Sequence, residues 1–275
     1  MSGNNKYTKS LEKFCARMNG KAKELNMIDS VFYDPAGIDN VSTVKDILNC
    51  LVEAANTEII YNIFSKKKDE IDIKGPNERK MVLESRTLLG TNSKDLCDYY
   101  NVLCGKGGVL IAPKIYNSAV LVELPDKTKL FCVIMKANDN NEGKENRFAA
   151  AKQALDVATK NTDNRDVCAK SAIVSTITEN NKLNVLYEKN PCEVIKPASM
   201  SKMLTAIVVL EYIEDIYEEV CVKQEMLDLM PEIFYQNDFK EGDIVTVRDL
   251  MSAMFLPSSN SAAYILGCIV GEKMH

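Results

Sequence analysis

Two serines and a lysine lie close together in the segment KPASMSKMLTAIVVLEYI, residues 196–213. Pro197 ends an extended segment, and a helix beginning near Ser199 places Ser199 and Lys202 one turn apart on the same face. A serine acts as a nucleophile at neutral pH when a base lies within hydrogen-bond reach, and a lysine serves if its pKa is lowered. The spacing therefore suggests a Ser–Lys pair, although a capping serine followed by an exposed lysine is the commoner explanation for such a motif alone.

A second polar cluster follows the helix that ends at Pro257, in the sequence MSAMFLPSSNSAAYILG. Here Ser258, Ser259 and Asn260 form a predicted tight loop before the next apolar segment. Polar side chains between two helices can face a cleft rather than bulk solvent. On its own this SSN loop is most simply a turn, and only its combination with Ser199 and Lys202 indicates a site.

A third segment, LCGKGGVLIAP, places Lys106 before two glycines at the start of a predicted strand. Gly107 and Gly108 would let a substrate backbone lie close to the strand edge, and the lysine supplies a cation. The segment is not a phosphate-binding loop, because the GxxxxGK[ST] spacing is absent.

Composition excludes several alternative chemistries. The one histidine is His275, so the sequence excludes Ser-His-Asp, Cys-His and HExxH sites. Nine cysteines contain no CxxC pair, and we expect neither a metal site nor a cofactor. The formal net charge of −5, with no basic run beyond Lys66–Lys68, argues against a nucleic-acid partner. No apolar segment is long enough to span a bilayer, and we expect no signal peptide or membrane anchor.

The pattern of apolar residues predicts a mixed α/β (α+β) fold with about five antiparallel strands flanked by helices. Helices are predicted at 7–25 and 42–64, the latter capped by Ser42 or Thr43, and at 147–160 and 247–255. Thr246 and Asp249 form a predicted capping box at the start of the last of these helices. Strands are predicted at 107–113, 118–124, 129–135, 171–177 and 183–189. Residues 69–104 show no clear period and are predicted to be short strands and loops.

Together the three motifs resemble those of the penicillin-recognising serine hydrolases, most closely the D-alanyl-D-alanine carboxypeptidases among the low-molecular-weight penicillin-binding proteins. Residues 169–206 are similar to that family's first hairpin and SxxK helix, and residues 242–271 to its SxN segment. Residues 14–48 are similar to the stretch that follows SxN, with Asp34–Asp39 in place of the family's N-P-x-G-L-D turn.

The motifs occur in an unusual order. The family runs SxxK, SxN, then K-[TS]-G, whereas Lys106 here precedes Ser199 and Ser258. Joining His275 to Gly3 restores the family order, which predicts a circular permutation with a fused joint near 160–166 and with residues 3 and 275 close together. We expect a single domain over residues 1–275. Its helical subdomain comes mainly from 5–66 and 198–272, and its sheet subdomain mainly from 100–190.

The resemblance implies catalytic roles for five residues. Ser199 would be the acylated nucleophile and Lys202 its base. Ser258 would relay a proton to the leaving group, and Asn260 would hold the substrate amide. Lys106 would supply positive potential near Lys202 and the substrate carboxylate.

The resemblance also implies a substrate-binding strand at Gly107, Gly108 and Val109, with the amides of Ser199 and Val109 forming the oxyanion hole. Gly107 departs from the family, which has a threonine or serine there. Losing that hydroxyl would cost about 1.5 to 3 kcal/mol of carboxylate binding. We therefore expect Gly107→Thr to improve the use of substrates that bear a free carboxylate.

The function implied is a serine acyl-enzyme hydrolase that cleaves a peptidoglycan-type D-alanyl peptide or related amide and is acylated by β-lactams. A β-lactamase is less expected, because no acidic motif suited to rapid deacylation follows the SxN segment. The alternative, motivated by Gly107, is a binding or regulatory module that keeps the fold without turnover. The family is exported to the cell envelope, but the compartment of this chain is not predicted.

Overall fold

A computed structural model describes residues 5–138, 146–164, 166–178, 182–234, 236 and 238–274. In this part of the chain the α-helices are α1 Thr8–Glu24, α2 Val44–Asn56, α3 Glu58–Phe64, α4 Lys94–Cys97, α5 Arg147–Ala158, α6 Lys202–Leu210, α7 Gln224–Leu227, α8 Val247–Phe255 and α9 Asn260–Lys273. Short 3₁₀ turns span Thr91–Ser93, Ala198–Ser201 and Glu232–Phe234. The strands are β1 Lys68–Ile73, β2 Arg79–Glu84, β3 Asn101–Leu110, β4 Ile115–Glu123, β5 Lys129–Ala137, β6 Ala169–Ile177, β7 Leu183–Lys189, β8 Glu219–Cys221 and β9 Ile244–Thr246.

The main sheet has five strands in the order β3-β4-β5-β6-β7, and every neighbouring pair is antiparallel. A tight turn joins β4 and β5, with Lys127 at a positive φ of 72° and its backbone amide donating to the carbonyl of Leu124. The prediction of a mixed α/β fold with a five-stranded antiparallel sheet flanked by helices is confirmed.

Alternation along the central strands sends apolar side chains to both faces of the sheet. One set packs with α5 in a smaller core: Val120, Val122, Cys132 and Ile134. The intervening residues face the opposite way and join the larger core with α2, α6, α8 and α9: Ala119, Leu121, Phe131 and Val133. Because both faces of the sheet are covered, β3 has a fixed position against the helices.

Three parts of the secondary structure differ from the prediction. The first strand of the main sheet was predicted at 107–113, whereas β3 covers Asn101–Leu110 and residues 111–114 form a turn. The helix predicted over 42–64 is wrong as one element, because Thr57 is extended (ψ 107°) and separates α2 from α3. The Thr57 hydroxyl donates to the carbonyl of Glu53 at 2.9 Å and so ends α2. Strands β8 and β9 form a small sheet within a region predicted as helical, and three residues per strand are too few to give a visible period.

The helix caps follow the sequence signals. The Thr43 side chain accepts from the Asp46 amide at 3.1 Å, so Thr43 rather than Ser42 caps α2. At α8 the Thr246 side chain accepts from the Asp249 amide, and the Asp249 carboxylate accepts from the Thr246 amide, which confirms the predicted capping box. Ser259 caps α9 by accepting from the Ala262 amide at 2.9 Å, and this fixes the neighbouring Ser258.

The first and last described segments lie side by side. The Lys6 Nζ lies 3.4 Å from the Glu272 Oε1, and the Lys13 ammonium donates to the carbonyl of Met274 at 2.8 Å. Residues 3 and 275, whose proximity is predicted above, lie outside the described residues. None of the helices formed by the described residues has the length and apolar character that crossing a membrane requires.

Candidate active site

The 3₁₀ turn Ala198–Ser201 leads directly into α6 and places Ser199 one turn before Lys202. Ala198 has a φ of 52°, a conformation that non-glycine residues seldom adopt. Two glycines let neighbouring backbone approach this turn. A Cβ at Gly37 would lie 2.0 Å from the carbonyl oxygen of Ala198, and one at Gly108 would lie 2.5 Å from that of Pro197. The turn is therefore held between the 34–39 loop and β3.

Lys202 is fully buried beneath Ser199 and has three hydrogen-bond partners. Its ammonium nitrogen lies 2.9 Å from Ser199 Oγ, 2.7 Å from Asn260 Oδ1 and 3.1 Å from the carbonyl oxygen of Ala36. The Asn260 Nδ2 donates to the carbonyl of Phe234 at 3.1 Å, which fixes the orientation of the amide. Carbonyl oxygens can only accept hydrogen bonds, so a neutral Lys202 would donate its two N–H groups to the Ala36 carbonyl and to Asn260 Oδ1. Its lone pair would then face the hydroxyl of Ser199.

The surroundings of Lys202 favour that neutral form. Burial is the main cause that lowers the pKa of Lys202 from 10.5 to about 7. The negative charge of Asp34 acts in the opposite direction and raises this pKa, while the charge of Arg86 lowers it further. Near neutral pH a substantial fraction of Lys202 is therefore able to accept a proton.

The 34–39 loop is built around the carboxylate of Asp34. This buried group accepts hydrogen bonds from the backbone amides of Ala36, Gly37, Ile38 and Asp39, at 2.6 to 3.1 Å. The loop aims the Ala36 carbonyl at Lys202, and the carbonyl of Pro35 accepts from Thr205 Oγ1 on α6 at 2.7 Å. Asp34 thus ties the loop to the same helix turn that carries Lys202.

The second buried lysine, Lys106, lies on β3 and is 2% exposed. Its ammonium nitrogen is 2.7 Å from Ser258 Oγ and 3.2 Å from the carbonyl oxygen of Gly107. Ser258 has a φ of 69°, a strained conformation that directs its side chain toward the strand. Burial is the main cause that holds the pKa of Lys106 well below 10.5, and the charge of Lys202 adds to it. Lys106 and Ser258 form a hydrogen-bonded pair across the cleft from Ser199.

Arg147, the first residue of α5, occupies the space beside Gly107. A Cβ at Gly107 would lie 3.1 Å from the Cζ of Arg147 and 3.3 Å from one terminal nitrogen. The guanidinium is 6% exposed and lies 4.8 Å above the ring of Phe148. Gly107 has no positive φ, so the lack of a side chain there serves this close approach rather than backbone conformation.

These residues surround a cleft of about 420 Å³. Six residues predicted from sequence line it: Lys106, Gly107, Val109, Ser199, Ser258 and Asn260. The other two lie behind the wall, with Lys202 bonded to Ser199 and Gly108 packed against the turn. Six lining residues were not predicted as site residues: Arg86, Gly90, Asn92, Arg147, Phe148 and Gln236. The side-chain oxygen of Gln236 accepts from the backbone N–H of Asn260 at 2.6 Å.

One of the residues that was not predicted, Arg147, could have been found from the sequence. An arginine in the first turn of a helix opposes the positive end of the helix dipole, and α5 is otherwise alanine-rich. Such a local conflict often marks a functional residue. Arg86 and Gln236 lie in segments without any comparable pattern.

The fold and a serine beside a buried lysine are consistent with a hydrolase of the serine peptidase kind. Residues 157–272 match the family described as D-alanyl-D-alanine carboxypeptidase. The matched segment contains Ser199, Lys202, Ser258 and Asn260, and the match confirms the resemblance to that family. The comparison with curated proteins and the comparison with solved structures each gave no match.

Proposed function

We propose that this protein is a serine acyl-enzyme hydrolase that cleaves the terminal bond of a D-alanyl peptide or a related amide. The observation that carries the proposal is the geometry of Lys202. Its two acceptor-only partners, Ala36 and Asn260, would take both N–H groups of the neutral amine and leave the lone pair for Ser199. A buried ion pair or a capping interaction would not require this arrangement.

Acylation begins when Ser199 Oγ attacks the substrate carbonyl carbon and its proton passes to Lys202. The carbon–nitrogen bond then breaks, and the leaving amine takes a proton through Ser258, which Lys106 holds in place. The backbone amides of Ser199 and Val109 are proposed to stabilise the oxyanion. Water next attacks the ester on Ser199, releases the shortened peptide and restores the hydroxyl. β-Lactams would acylate the same serine, because their strained amide presents the same carbonyl.

Carboxylate recognition is proposed to come from Arg147 together with Lys106. A guanidinium can bind a carboxylate through two parallel hydrogen bonds, which a single hydroxyl cannot provide. Arg147 approaches the strand because Gly107 has no side chain, so the departure from K-[TS]-G is coupled to the arginine's position. The loss of the hydroxyl therefore does not by itself imply loss of substrate binding.

The test is release of D-alanine from an N-acylated peptide ending in D-Ala-D-Ala. We expect release by the parent protein and none above background from Ser199→Ala. Ser201→Ala is a matched control, because Ser201 is buried two residues away and its hydroxyl bonds to none of the described residues. Equal release by the parent and Ser199→Ala would overturn the proposal.

The alternative, a binding module without turnover, predicts a different result in the same assay. Such a protein would bind the peptide, measured by calorimetry, without releasing D-alanine and without covalent labelling by penicillin. The close Ser199–Lys202 contact favours the enzyme, because a binding module has no need for a lysine with a lowered pKa.

We also propose that the motif order reflects a circular permutation of one catalytic domain. The pairing of Lys6 with Glu272 and the packing of Lys13 on Met274 support it, because a short loop could join these ends. The test is a reordered chain that begins at residue 166 and passes from 274 through a short linker to 5. We expect the same melting temperature within a few degrees and the same peptidase activity. Failure of this chain to fold would contradict the permutation alone.

A further inference from the structure

Two exposed isoleucines lie near the end of β3, the strand that borders the cleft. Ile111 is 86% exposed and follows Leu110, the last residue of β3. Ile233 is 84% exposed and lies in the 3₁₀ turn Glu232–Phe234. They are the most exposed large apolar side chains among the described residues. Scattered exposed apolar residues are ordinary, but two that border one cleft indicate a surface for an apolar ligand.

Phe234 holds the 3₁₀ turn against the end of β3. Its side chain packs against a small apolar cluster: Leu110, Ile115 and Ala198. The Phe234 carbonyl accepts from the Asn260 Nδ2 at 3.1 Å, which ties the turn to the cleft as well. Val109, which lines the cleft, is 37% exposed and precedes Leu110 on the same strand. Val109, Ile111 and Ile233 are called the apolar rim below.

The proposed reaction determines which part of a substrate would reach the apolar rim. The reacting carbonyl would lie between Ser199 and the amide of Val109, with the leaving amine toward Ser258 and Lys106. Because Lys106 precedes Val109 on β3, the acyl part must extend the other way, toward Ile111. β3 is an edge strand of the main sheet, so its outer edge can pair with an extended peptide. Ile111 lies two residues beyond Val109, about 7 Å along an extended chain.

We propose that the apolar rim selects substrates with a large apolar side chain on the residue that precedes the acylated D-alanine. That side chain packs against Ile111 and Ile233 and removes their apolar surface from water. The inference rests on the proposed function and deepens it, because the bond cleaved and the acyl-enzyme are the same. It adds a specificity contact on the acyl side of that bond.

The experiment compares the peptides N-acetyl-L-Leu-D-Ala-D-Ala and N-acetyl-L-Asn-D-Ala-D-Ala. Leucine and asparagine side chains have nearly the same shape, so the comparison isolates apolar character. Binding is measured by calorimetry on the Ser199→Ala protein, which does not depend on turnover. We expect the leucine peptide to bind about 5- to 10-fold more tightly, in line with partial burial of one leucine side chain. Raising the salt concentration should not reduce this ratio, because the contact carries no charge.

A double substitution tests whether the apolar rim is the cause. In Ser199→Ala/Ile111→Asn/Ile233→Asn the ratio should fall to about one. Both isoleucines are highly exposed, so their replacement should cost little stability. Ser199→Ala/Ile28→Asn is the control, because Ile28 is 79% exposed, does not line the cleft and loses the same side chain. We expect the control to keep the ratio.

Three results would overturn the inference. The first is equal binding of the two peptides by the Ser199→Ala protein, including no measurable binding of either. The second is a ratio that survives the double substitution or that the control also abolishes. The third is a dimer in size-exclusion chromatography that the double substitution dissociates, together with a ratio of about one, because the rim would then bind a second copy of this chain.

Failure of the proposed function gives a different result. A preference for the leucine peptide that depends on the apolar rim, without D-alanine release or penicillin labelling, would support the inference about the ligand and contradict the hydrolase. Release of D-alanine from both peptides, with equal binding of the two, would do the reverse.

Discussion

Different parts of the cleft place basic residues in different environments. On the helical side Lys202 is fully buried, and short hydrogen bonds hold it beside Ser199. Elsewhere in the cleft wall Arg147 is 6% exposed and Arg86 is exposed, and both keep their charge. Burial lowers the pKa of Lys202, whereas both arginines stay protonated whatever their exposure, because a guanidinium keeps its proton. Residue type and burial together thus distinguish the proposed base from the permanent cations of the cleft.

The largest effect is expected from Lys202→Met, which removes the base and keeps a buried side chain of similar length. We expect the rate of acylation to fall by about 10²- to 10⁴-fold, the range found for general bases. Acylation is followed as penicillin labelling over time. Lys196→Met is a matched control, because Lys196 is half-buried and its exposed partner is Asp39. Parent-like labelling in Lys202→Met would show that another group is the base.

The next largest effect is expected on the sheet side, from Arg147→Gln. Loss of a charge-assisted contact worth about 1.5 to 3 kcal/mol corresponds to roughly a 10- to 100-fold decrease in kcat/KM. The decrease should appear with a peptide that has a free terminal carboxylate and not with its amidated form. If both peptides lose activity equally, Arg147 supports the fold and does not bind the carboxylate.

The pH dependence of acylation separates the influence of Asp34 from simple structural support. In the parent protein acylation should fall as the pH drops through about 7, because protonated Lys202 has no lone pair. The groups whose charges act on Lys202 include Asp34 and Asp238, which raise its pKa, and Arg86, which lowers it. Asp34→Asn removes a negative charge, so the acid limb should move to lower pH.

The plateau rate of Asp34→Asn should also fall, by up to about tenfold. The asparagine amide cannot accept from both Ile38 and Asp39, and one lost hydrogen bond costs about 1 kcal/mol. Asp39→Asn is the control, since Asp39 is exposed in the same turn and pairs with Lys196. An unshifted acid limb in Asp34→Asn would mean that the Asp34 charge does not act on Lys202.

The smallest effect is expected from Gly107→Thr. The sequence predicted a gain with carboxylate-bearing substrates, but that expectation took no account of Arg147. The new Cβ would lie 3.1 Å from the guanidinium carbon, so the arginine must shift by a few tenths of an ångström or more. We now expect about a three- to tenfold decrease in kcat/KM with such substrates, since small misplacements of a binding group are costly. A tenfold gain instead would support the sequence-based expectation.

The helical side was predictable because its residues are close in sequence or carry helix signals. Ser199 and Lys202 are one turn apart, and the capping box at Thr246 indicates the start of α8. The strands of the main sheet were also visible, because each is a long apolar or alternating run. The break at Thr57 could not be predicted, because the apolar period continues across it. Only a hydrogen bond from the Thr57 hydroxyl to the Glu53 carbonyl ends α2.

The sheet side was predicted only in part. Lys106 and its glycines were identified from their motif, whereas Arg147 and Arg86 come from distant segments that meet only in the fold. The influence of Asp34 was hidden for a similar reason, because its charge and the loop carbonyl at Ala36 reach Lys202 only in the folded chain. Tertiary contacts of this kind leave no period or spacing in the sequence.

The central claim is that Ser199 becomes acylated, and the intact mass of the protein after incubation with penicillin tests it most directly. We predict an increase equal to one whole penicillin molecule, since ring opening loses no atoms, with the adduct on the peptide that contains Ser199. The adduct should be absent in Ser199→Ala and present in Ser201→Ala. An unmodified parent protein, or an adduct that persists in Ser199→Ala, would contradict this account.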